Sequence, residues 1–465
     1  GKVLTANERA DLYGNGTGNT YTSGGQSSFG WAMYDFGASE LRWLTVAAGT
    51  GIYASSNLGV NFLIVQTSRT QNYQYFSRSK NVLIATADSY DVPLYWAGSA
   101  GTSFATLAPN SAPKARYSIN HLGFLFLFNY QDSNNTVKKR SVAYNDENTQ
   151  LTSAWANNFE LPSSADDEGT VSFVVNRILY LSTRYRIFRL SYVGGNPDWS
   201  YEVVKEWGFI PRTVAKATLK GSEVVIGMDW SRRIRMFDGS DDIIISDNVE
   251  SDNGMCDFAT LKVSYAGSGL VVSNAVFDSQ EQEYRLNLAI GANSQQTTNA
   301  IILNTRTLSM YPYDNQDFQA MCMAESASKL FLTAVDRSGR VFILNTGNLD
   351  VSTAINDVYD SPFMFKSTPG SVQKSDKMDL FFATSSAGNI YFYDRVDFSS
   401  LWGNAKKTIN ISKTGSVNHI VESIDVPSTH NVYQYRIASS SGTAEPWKLT
   451  HADYYFKSLG ICKGN

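Results

Sequence analysis

Short apolar or alternating runs, separated by turn residues, follow one another along most of the chain. Runs of this kind bounded by Gly, Asn, Asp and Ser predict β-strands, and helical 3.6-residue periodicity is not sustained anywhere. The pattern therefore predicts an all-β protein with antiparallel strands. The clearest runs are Trp43–Val46, Phe62–Val65, Val82–Thr86, Leu94–Trp96, Phe124–Phe128, Val171–Val175 and Ile178–Leu181.

One hairpin pattern recurs along the chain. An apolar strand ends in a short polar turn, and the next strand carries Ile or Val followed by an aromatic or long apolar residue. With Ile187, Ile234, Val341 and Ile390 as markers, the intervals are 47, 107 and 49 residues. These are one, two and one units of about 50 residues, which is typical of propeller blades. Because a hairpin must stack on another sheet to bury its apolar face, the repeat predicts a β-propeller of four-stranded antiparallel blades. A pair of β-sandwiches is the alternative.

The chain of 465 residues is longer than one hydrophobic core usually supports. Residues 1–28 are predicted to form a polar, glycine-rich arm, because Gly14–Gly25 lacks apolar periodicity. Residues 29–404 are predicted to form the propeller blades. In residues 405–465 the hairpin pattern breaks down, and this segment either closes the propeller by pairing with the first blade or forms a small appended β-domain.

Charge and hydropathy argue against nucleic acid and the membrane interior as binding partners. The formal net charge is -4, so the sequence does not indicate a surface that grips phosphate backbones. No stretch approaches the roughly 18 consecutive apolar residues of a membrane span, and the first 30 residues lack the order of a secretion signal. We therefore expect a protein that is not inserted into a membrane and is not exported by that route.

Metal and disulfide chemistry have little support in the sequence. The cysteines are far apart and odd in number, which favours reduced, buried thiols over a disulfide framework. The histidines lack metal-ligand spacing, and we expect no metal and no cofactor. These residues are Cys256, Cys322 and Cys462, and His121, His419, His430 and His451.

Three other groups could bind a ligand. Asp166, Asp167 and Glu168 could hold a cation, but they lack the alternating spacing of a calcium loop, and a solvated turn is the alternative. Arg232, Arg233 and Arg235 could face nucleic acid or an acidic partner, or could be an exposed blade turn; Arg233 and Arg235 should share a side while Ile234 points to the core. Tryptophans could line a sugar-binding face, although most are expected in the core; these are Trp96, Trp155, Trp199, Trp207 and Trp230.

No catalytic motif was found. Gly14, Gly16 and Gly18 suggest a phosphate-binding loop, but no strand precedes them and no helix follows. G-x-S-x-G, H-E-x-x-H and Walker sequences are absent. Propeller glycosidases use paired carboxylates, whose separation across blades cannot be read from one sequence. We therefore predict that the protein is not an enzyme and has no catalytic residues.

A series of short sequence segments, which we call phrases, nonetheless resembles a known family. Together, and in this order, they are similar to the β-propeller tail hub, or nozzle, proteins of short-tailed double-stranded-DNA bacteriophages. The likeness lies in the order of the phrases, since each alone is common, and it spans roughly residues 90–460. The phrases are Pro93–Gly98, Ala112–Tyr117, Arg235–Ser240, Ile244–Asp247, Ala300–Tyr311, Asp336–Phe342, Tyr433–Ile437 and Glu445–Leu449.

The resemblance implies a virion structural protein of the tail, assembled in the host cytoplasm. Its partners would be copies of itself in a ring, commonly six, together with the portal, the adaptor and other tail proteins. The ring would form part of the channel through which double-stranded DNA leaves, without specific binding. The glycine-rich start departs from the family pattern. The alternative is a receptor- or glycan-binding tail fibre or appendage, and behind it a propeller glycosidase.

Overall fold

The computed structural model describes much of the chain. Residues 1–29, which include the whole of the predicted arm, lie outside this part. The described residues are 30–36, 41–56, 62–70, 73–98, 101–107, 112–146, 148–152, 154–195, 198–219, 221–246, 273–288, 299–314, 318–326, 329–336, 341–344, 349–350, 353–354, 358–361, 371–384, 389–396, 399, 401–410, 419–426, 432–439 and 447–461.

The chain divides into two compact units, Gly1–Asn345 and Thr346–Asn465. Within the described residues of the first unit, 27 strands form seven antiparallel sheets, each made of consecutive strands in sequence order. The first three sheets, named blades 1 to 3, are β1 (Gly30–Phe36), β2 (Leu41–Ala48), β3 (Gly51–Ser55) and β4 (Leu63–Gln66); β5 (Gln74–Ser79), β6 (Val82–Ala87), β7 (Leu94–Trp96) and β8 (Ala105–Thr106); and β9 (Lys114–His121), β10 (Phe124–Gln131), β11 (Val137–Asp146) and β12 (Asn157–Glu160).

Blades 4 to 7 continue the series. Blade 7 has three described strands, and the other three blades have four. They contain β13 (Gly169–Val175), β14 (Ile178–Thr183), β15 (Ile187–Tyr192) and β16 (Trp199–Lys205); β17 (Ala215–Leu219), β18 (Ser222–Met228), β19 (Ile234–Phe237) and β20 (Asp242–Ile244); β21 (Asn274–Asp278), β22 (Glu283–Leu288), β23 (Asn299–Asn304) and β24 (Ser309–Asp314); and β25 (Phe318–Ser326), β26 (Lys329–Asp336) and β27 (Val341–Ile343).

The blades close into a ring. The first strand of each blade contacts the first strand of the next, except that β13 meets β18 between blades 4 and 5, and β25 contacts β1. A separate buried apolar cluster lies between each pair of neighbouring blades, and one of them joins Val46 of blade 1 to Val335 and Val341 of blade 7. The first unit is therefore a β-propeller, which confirms the predicted fold.

Alternating side chains explain these interblade cores. In β10, Leu125 and Leu127 pack with blade 2, whereas Phe126 and Phe128 pack with blade 4. Successive residues of a strand point to opposite faces, so a continuous apolar run is required where both faces of a sheet are covered. The run Phe124–Phe128 is of that kind.

The second unit is a β-sandwich. Its strands are β28 (Leu349–Asp350), β29 (Thr353–Ala354), β30 (Val358–Asp360), β31 (Ser371–Thr384), β32 (Asn389–Val396), β33 (Lys407–Asn410), β34 (His419–Asp425), β35 (Tyr433–Ser439) and β36 (Trp447–Ile461). One sheet has the order β30-β35-β32-β33 and the other β34-β31-β36. A single apolar cluster contains Leu380 and Phe382 of β31 together with Phe392 and Ile437, so the two sheets bury their inner faces against each other.

The unit boundary differs from the predicted division at residues 404 and 405. The markers Ile187, Ile234 and Val341 lie in the third strands of blades 4, 5 and 7, with blade 6 in the double interval. Ile390, however, lies in β32 of the sandwich. The described strands from residue 405 onward pair with strands of the second unit, so the C-terminal segment forms one domain with residues that the sequence pattern had placed in a blade. In the described part of the chain, no helix is long and apolar enough to cross a membrane.

Candidate functional site

A pocket of about 240 Å³ lies on the axis of the propeller. Its walls come from the first strands of blades 2, 3, 4, 6 and 7 and from the segment before β17 of blade 5. Several of its residues stand at or near the beginning of a first strand, which places the pocket at one end of the ring. We call it the axial pocket; its described lining consists of Gln74, Tyr75, Phe76, Tyr117, Ser118, Val171, Ser172, Arg212, Asn274, Ala275, Ala320 and Met321.

Neighbouring residues hold the neutral polar groups of the axial pocket. The buried Arg69 donates to Gln74 Oε1 from both Nε, at 3.2 Å, and Nη2, at 2.8 Å. The hydroxyls of Ser118 and Ser77 are 2.6 Å apart, and Asn274 Nδ2 donates to the Phe318 carbonyl at 2.8 Å. These side chains are thus oriented before any ligand arrives.

Arg212 is fixed through both backbone and side chain. Its φ of 66° is left-handed, and its carbonyl accepts the N–H of Ala275 at 2.8 Å. Its guanidinium lies 4.1 Å from the ring centroid of Tyr73 and donates to the Gln319 carbonyl. Arg212 therefore joins blades 6 and 7 to the segment before β5 and keeps its positive charge at the pocket wall.

Tyr75 and Tyr117 form the side of the axial pocket that faces Asp88. Their rings are 4.7 Å apart and meet edge to face. Burial raises the pKa of both phenols well above the ordinary value, and the nearby Asp88 carboxylate raises them further. Burial also raises the pKa of Asp88, against the opposing effects of Arg116 and Arg212. The two phenols consequently stay neutral at physiological pH.

Arg116 connects this group to blade 4. Its Nε lies 3.9 Å from Asp88 Oδ1 and donates to the Asp88 carbonyl at 3.3 Å, and its Nη1 lies 3.4 Å from Glu168 Oε2. Its guanidinium also covers the ring of Tyr90 at 4.9 Å. The cation is thus shared between two carboxylates and an aromatic face, an arrangement that stabilises the contact between blades 2, 3 and 4.

The predicted acidic trio is a structural turn. Asp167 is buried, its Oδ1 accepts the N–H of Glu168 at 2.9 Å, and its Oδ2 accepts the hydroxyl of Ser163. Glu168 pairs with Arg116, and Asp166 is exposed. The three carboxylates therefore do not converge, and among the described residues no group of three or more His, Cys, Asp or Glu could hold a metal ion.

The predicted arginine cluster is divided by the fold. Ile234 is fully buried, as expected, while Arg233 is exposed and Arg232 adopts a φ of 69°. Arg235 forms ion pairs with Asp229 and with Asp242 Oδ2, the latter at 2.7 Å, and its guanidinium lies 4.6 Å from the Trp207 ring centroid. Arg235 is therefore bound inside blade 5 and does not present its charge to a partner.

The other sequence candidates also have structural positions. Trp96 and Trp199 are buried between blades, and Trp155, Trp207 and Trp230 are half-buried. Cys322 has a free thiol, and burial raises its pKa. His121 is buried, which lowers its pKa. Nothing is described for Gly14, Gly16, Gly18, Cys256, Cys462 and His430, nor for the side chains of His419 and His451.

Sequence reasoning missed the axial pocket. Its residues are spread from Gln74 to Met321 and come from six blades, so no local motif contains them. The one available signal was the position of polar residues at the beginning of predicted first strands, where side chains turn toward the propeller axis.

Neither a protein-family model nor a curated protein matches the chain. Among solved structures, it is similar to the extracellular domain of a one-component system of B. thetaiotaomicron, with a TM-score of 0.45, 8% identity, and coverage of 89% of this chain and 56% of that one. An ancestral GH74 enzyme gives a TM-score of 0.44 at 9% identity, over 68% of this chain and 48% of that one. AztD from Citrobacter koseri gives a TM-score of 0.37 at 9% identity, over 67% of this chain and 84% of that one.

The chain spans little more than half the length of the first of these structures. Because the identities are this low and the TM-scores are below 0.5, these likenesses transfer no ligand or activity to this chain. The class that the structure itself defines is a β-propeller joined in sequence to a β-sandwich.

Proposed function

We propose that this chain is a structural protein of a bacteriophage tail, of the hub or nozzle class, and that it acts without catalysis. It would assemble with copies of itself in a ring and with the portal, the adaptor and other tail proteins, around a conduit for double-stranded DNA. The observation that carries the proposal is the ordered likeness to that family, whose phrases occur in both the propeller and the sandwich.

The residues of one such phrase have structural roles. In Arg235–Ser240, Arg235 forms the ion pairs within blade 5, and Asp238 Oδ1 accepts the N–H of Ser240 at 2.8 Å. The carbonyl of Gly239 accepts the hydroxyl of Tyr180 from blade 4 at 2.9 Å. These contacts stabilise the junction between blades 4 and 5, so this phrase has a structural role, as expected of a structural protein. The net charge of -4 is compatible with a channel through which DNA passes without being bound.

An exposed apolar strip on β16 supports self-assembly. Tyr201 and Val203 point to the same side of this outermost strand, and each is more than a third exposed. The Tyr201 ring stacks on Phe159 of blade 3, with centroids 5.6 Å apart. Glu202, on the opposite side, pairs with Arg189 at 2.6 Å. We take these two side chains as the candidate contact with another subunit, because aromatic residues are enriched at the cores of such interfaces.

The mass of the purified protein, measured by light scattering with negative-stain images of the same sample and of intact particles, tests the proposal. We expect a ring-shaped oligomer, or density on the tail axis. A stable monomer that binds host glycans and lies at the particle periphery would instead identify a receptor-binding appendage, and release of reducing sugars would identify a glycosidase.

Substitutions in the strip test the contact directly. Replacing Tyr201 and Val203 together by Glu should weaken self-association by about tenfold or more, because two charges would be buried without partners. Ser200→Glu, on the opposite side of the same strand, is the matched control and should leave the mass unchanged. Circular dichroism checks that both variants fold. Equal association of the double variant and the control would exclude this strip as the contact.

A further inference from the structure

The axial pocket presents one cation among neutral polar groups. Of its described lining residues, Arg212 alone is charged, and Gln74, Ser118, Ser172 and Asn274 are neutral and polar. Arg69, Ser77 and the Phe318 carbonyl hold three of these four side chains. Binding to such a site loses little conformational entropy in the protein, because the polar groups are already ordered.

The acidic groups nearby are not among the described lining residues. Asp88 lies beside Tyr75 and Tyr117, its carboxylate stands 3.9 Å from Arg116, and Arg212 also favours its charged form. Glu168 is paired with the same arginine at 3.4 Å. Among the described lining residues, the charge at the wall of the cavity is therefore that of Arg212, whose planar guanidinium matches the geometry of a carboxylate.

The size and the mixture of groups limit the ligand further. A cavity of about 240 Å³ is smaller than the roughly 300–1,000 Å³ of pockets for drug-sized ligands. Amide and hydroxyl side chains both donate and accept hydrogen bonds, as do the hydroxyls of a sugar. We infer that the axial pocket binds a single acidic sugar unit, with Arg212 on its carboxylate and the amide and hydroxyl side chains on its hydroxyls. This inference does not depend on the proposed tail function.

Calorimetric titration of the full chain with three probes tests the inference. Glucuronate carries both the carboxylate and the hydroxyls, glucose lacks the carboxylate, and succinate lacks the hydroxyls. We expect glucuronate to bind with a millimolar or lower Kd, and glucose and succinate to bind at least tenfold more weakly.

Three variants locate the binding. Arg212→Gln should weaken glucuronate binding tenfold or more, and Arg212→Lys should weaken it less, because the charge remains while the planar fork is lost. Arg78→Gln is the matched control, since Arg78 is exposed on β5 outside the pocket lining, and should bind as the unaltered protein does.

Several results would overturn the inference. Absence of glucuronate binding at about 20 mM to the unaltered protein would do so without any variant. Equal affinity for glucose would remove the role of the carboxylate, and equal affinity for succinate would remove that of the hydroxyls. Unchanged glucuronate binding in a folded Arg212→Gln protein would place the site elsewhere.

Discussion

Asp88 follows the second strand of blade 2 and stands beside Tyr75 and Tyr117, next to the axial pocket. Burial there disfavours the charged carboxylate, while Arg116 and Arg212 favour it, and the pKa is raised on balance. The folded protein therefore binds a proton at Asp88 more tightly than the unfolded chain does. Asp88, whose charged form burial disfavours, thus lies at the point where blades 2 and 3 meet.

The Asp88→Asn substitution should reveal the cost of burying the charged Asp88 carboxylate as a pH dependence of the difference in stability between the variant and the unaltered protein. Because the folded pKa is raised, the stability that protonated Asp88 contributes is complete below the ordinary carboxyl pKa and is lost as pH rises through the folded value. The stability of the variant relative to the unaltered protein should thus increase from about pH 4 upward and then level off. Urea unfolding at a series of pH values measures this difference. The exposed Asp241→Asn variant controls for the loss of one negative charge, and a difference independent of pH would contradict the prediction.

Hairpins are the elements that the sequence predicted best. The markers Ile187, Ile234 and Val341 lie in third strands of blades, and each follows a second strand with an apolar run, because the period-2 pattern and the polar turn are local features. The marker Ile390 obeys the same local pattern within a sandwich. Only distant pairing, such as β31 with β36, separates the two architectures, and a local pattern contains no information about it.

The axial pocket lay beyond prediction for a related reason. Gln74, Arg212 and Asn274 meet only after the ring has closed, and each is unremarkable in its own stretch of sequence. The fold divides the acidic trio and the arginine cluster, which stand out in the sequence: Asp167 accepts hydrogen bonds in a turn, Glu168 and Arg235 form ion pairs, and Asp166 and Arg233 are exposed. Clusters along the chain are therefore poor guides to a site built across blades.

The substitution Gly208→Ala tests the close packing at the junction between blades 4 and 5. A Cβ at this position would stand 1.7 Å from the Thr183 carbonyl oxygen, so Gly208→Ala forces two backbone segments apart. We expect a loss of about 3 kcal/mol or more in the free energy of unfolding, measured by chemical denaturation. At Gly195 a Cβ would meet nothing within 4 Å, so Gly195→Ala should change stability by less than about 0.5 kcal/mol. Similar effects of the two substitutions would contradict the close approach.

At the scale of the whole molecule, the propeller contains all of its own closing contacts. The last interblade core joins Val46 to Ala320, Val335 and Val341, all of which precede residue 346. Within the described strands, no strand of the second unit completes a blade, and the sandwich buries its own apolar cluster. Each unit thus has a core that does not require side chains of the other.

A chain that ends after Asn345 should therefore fold. We expect it to be soluble, to give a β-type circular dichroism spectrum, and to unfold cooperatively on heating, because all seven interblade cores remain. A chain that ends after Asp314 is the matched control: it lacks β25 to β27, exposes the apolar faces of blades 1 and 6, and should aggregate. Limited proteolysis of the full chain should yield a resistant fragment that ends near residue 345. If the chain ending at Asn345 aggregates as the control does, ring closure depends on the second unit and the independence of the two cores is wrong.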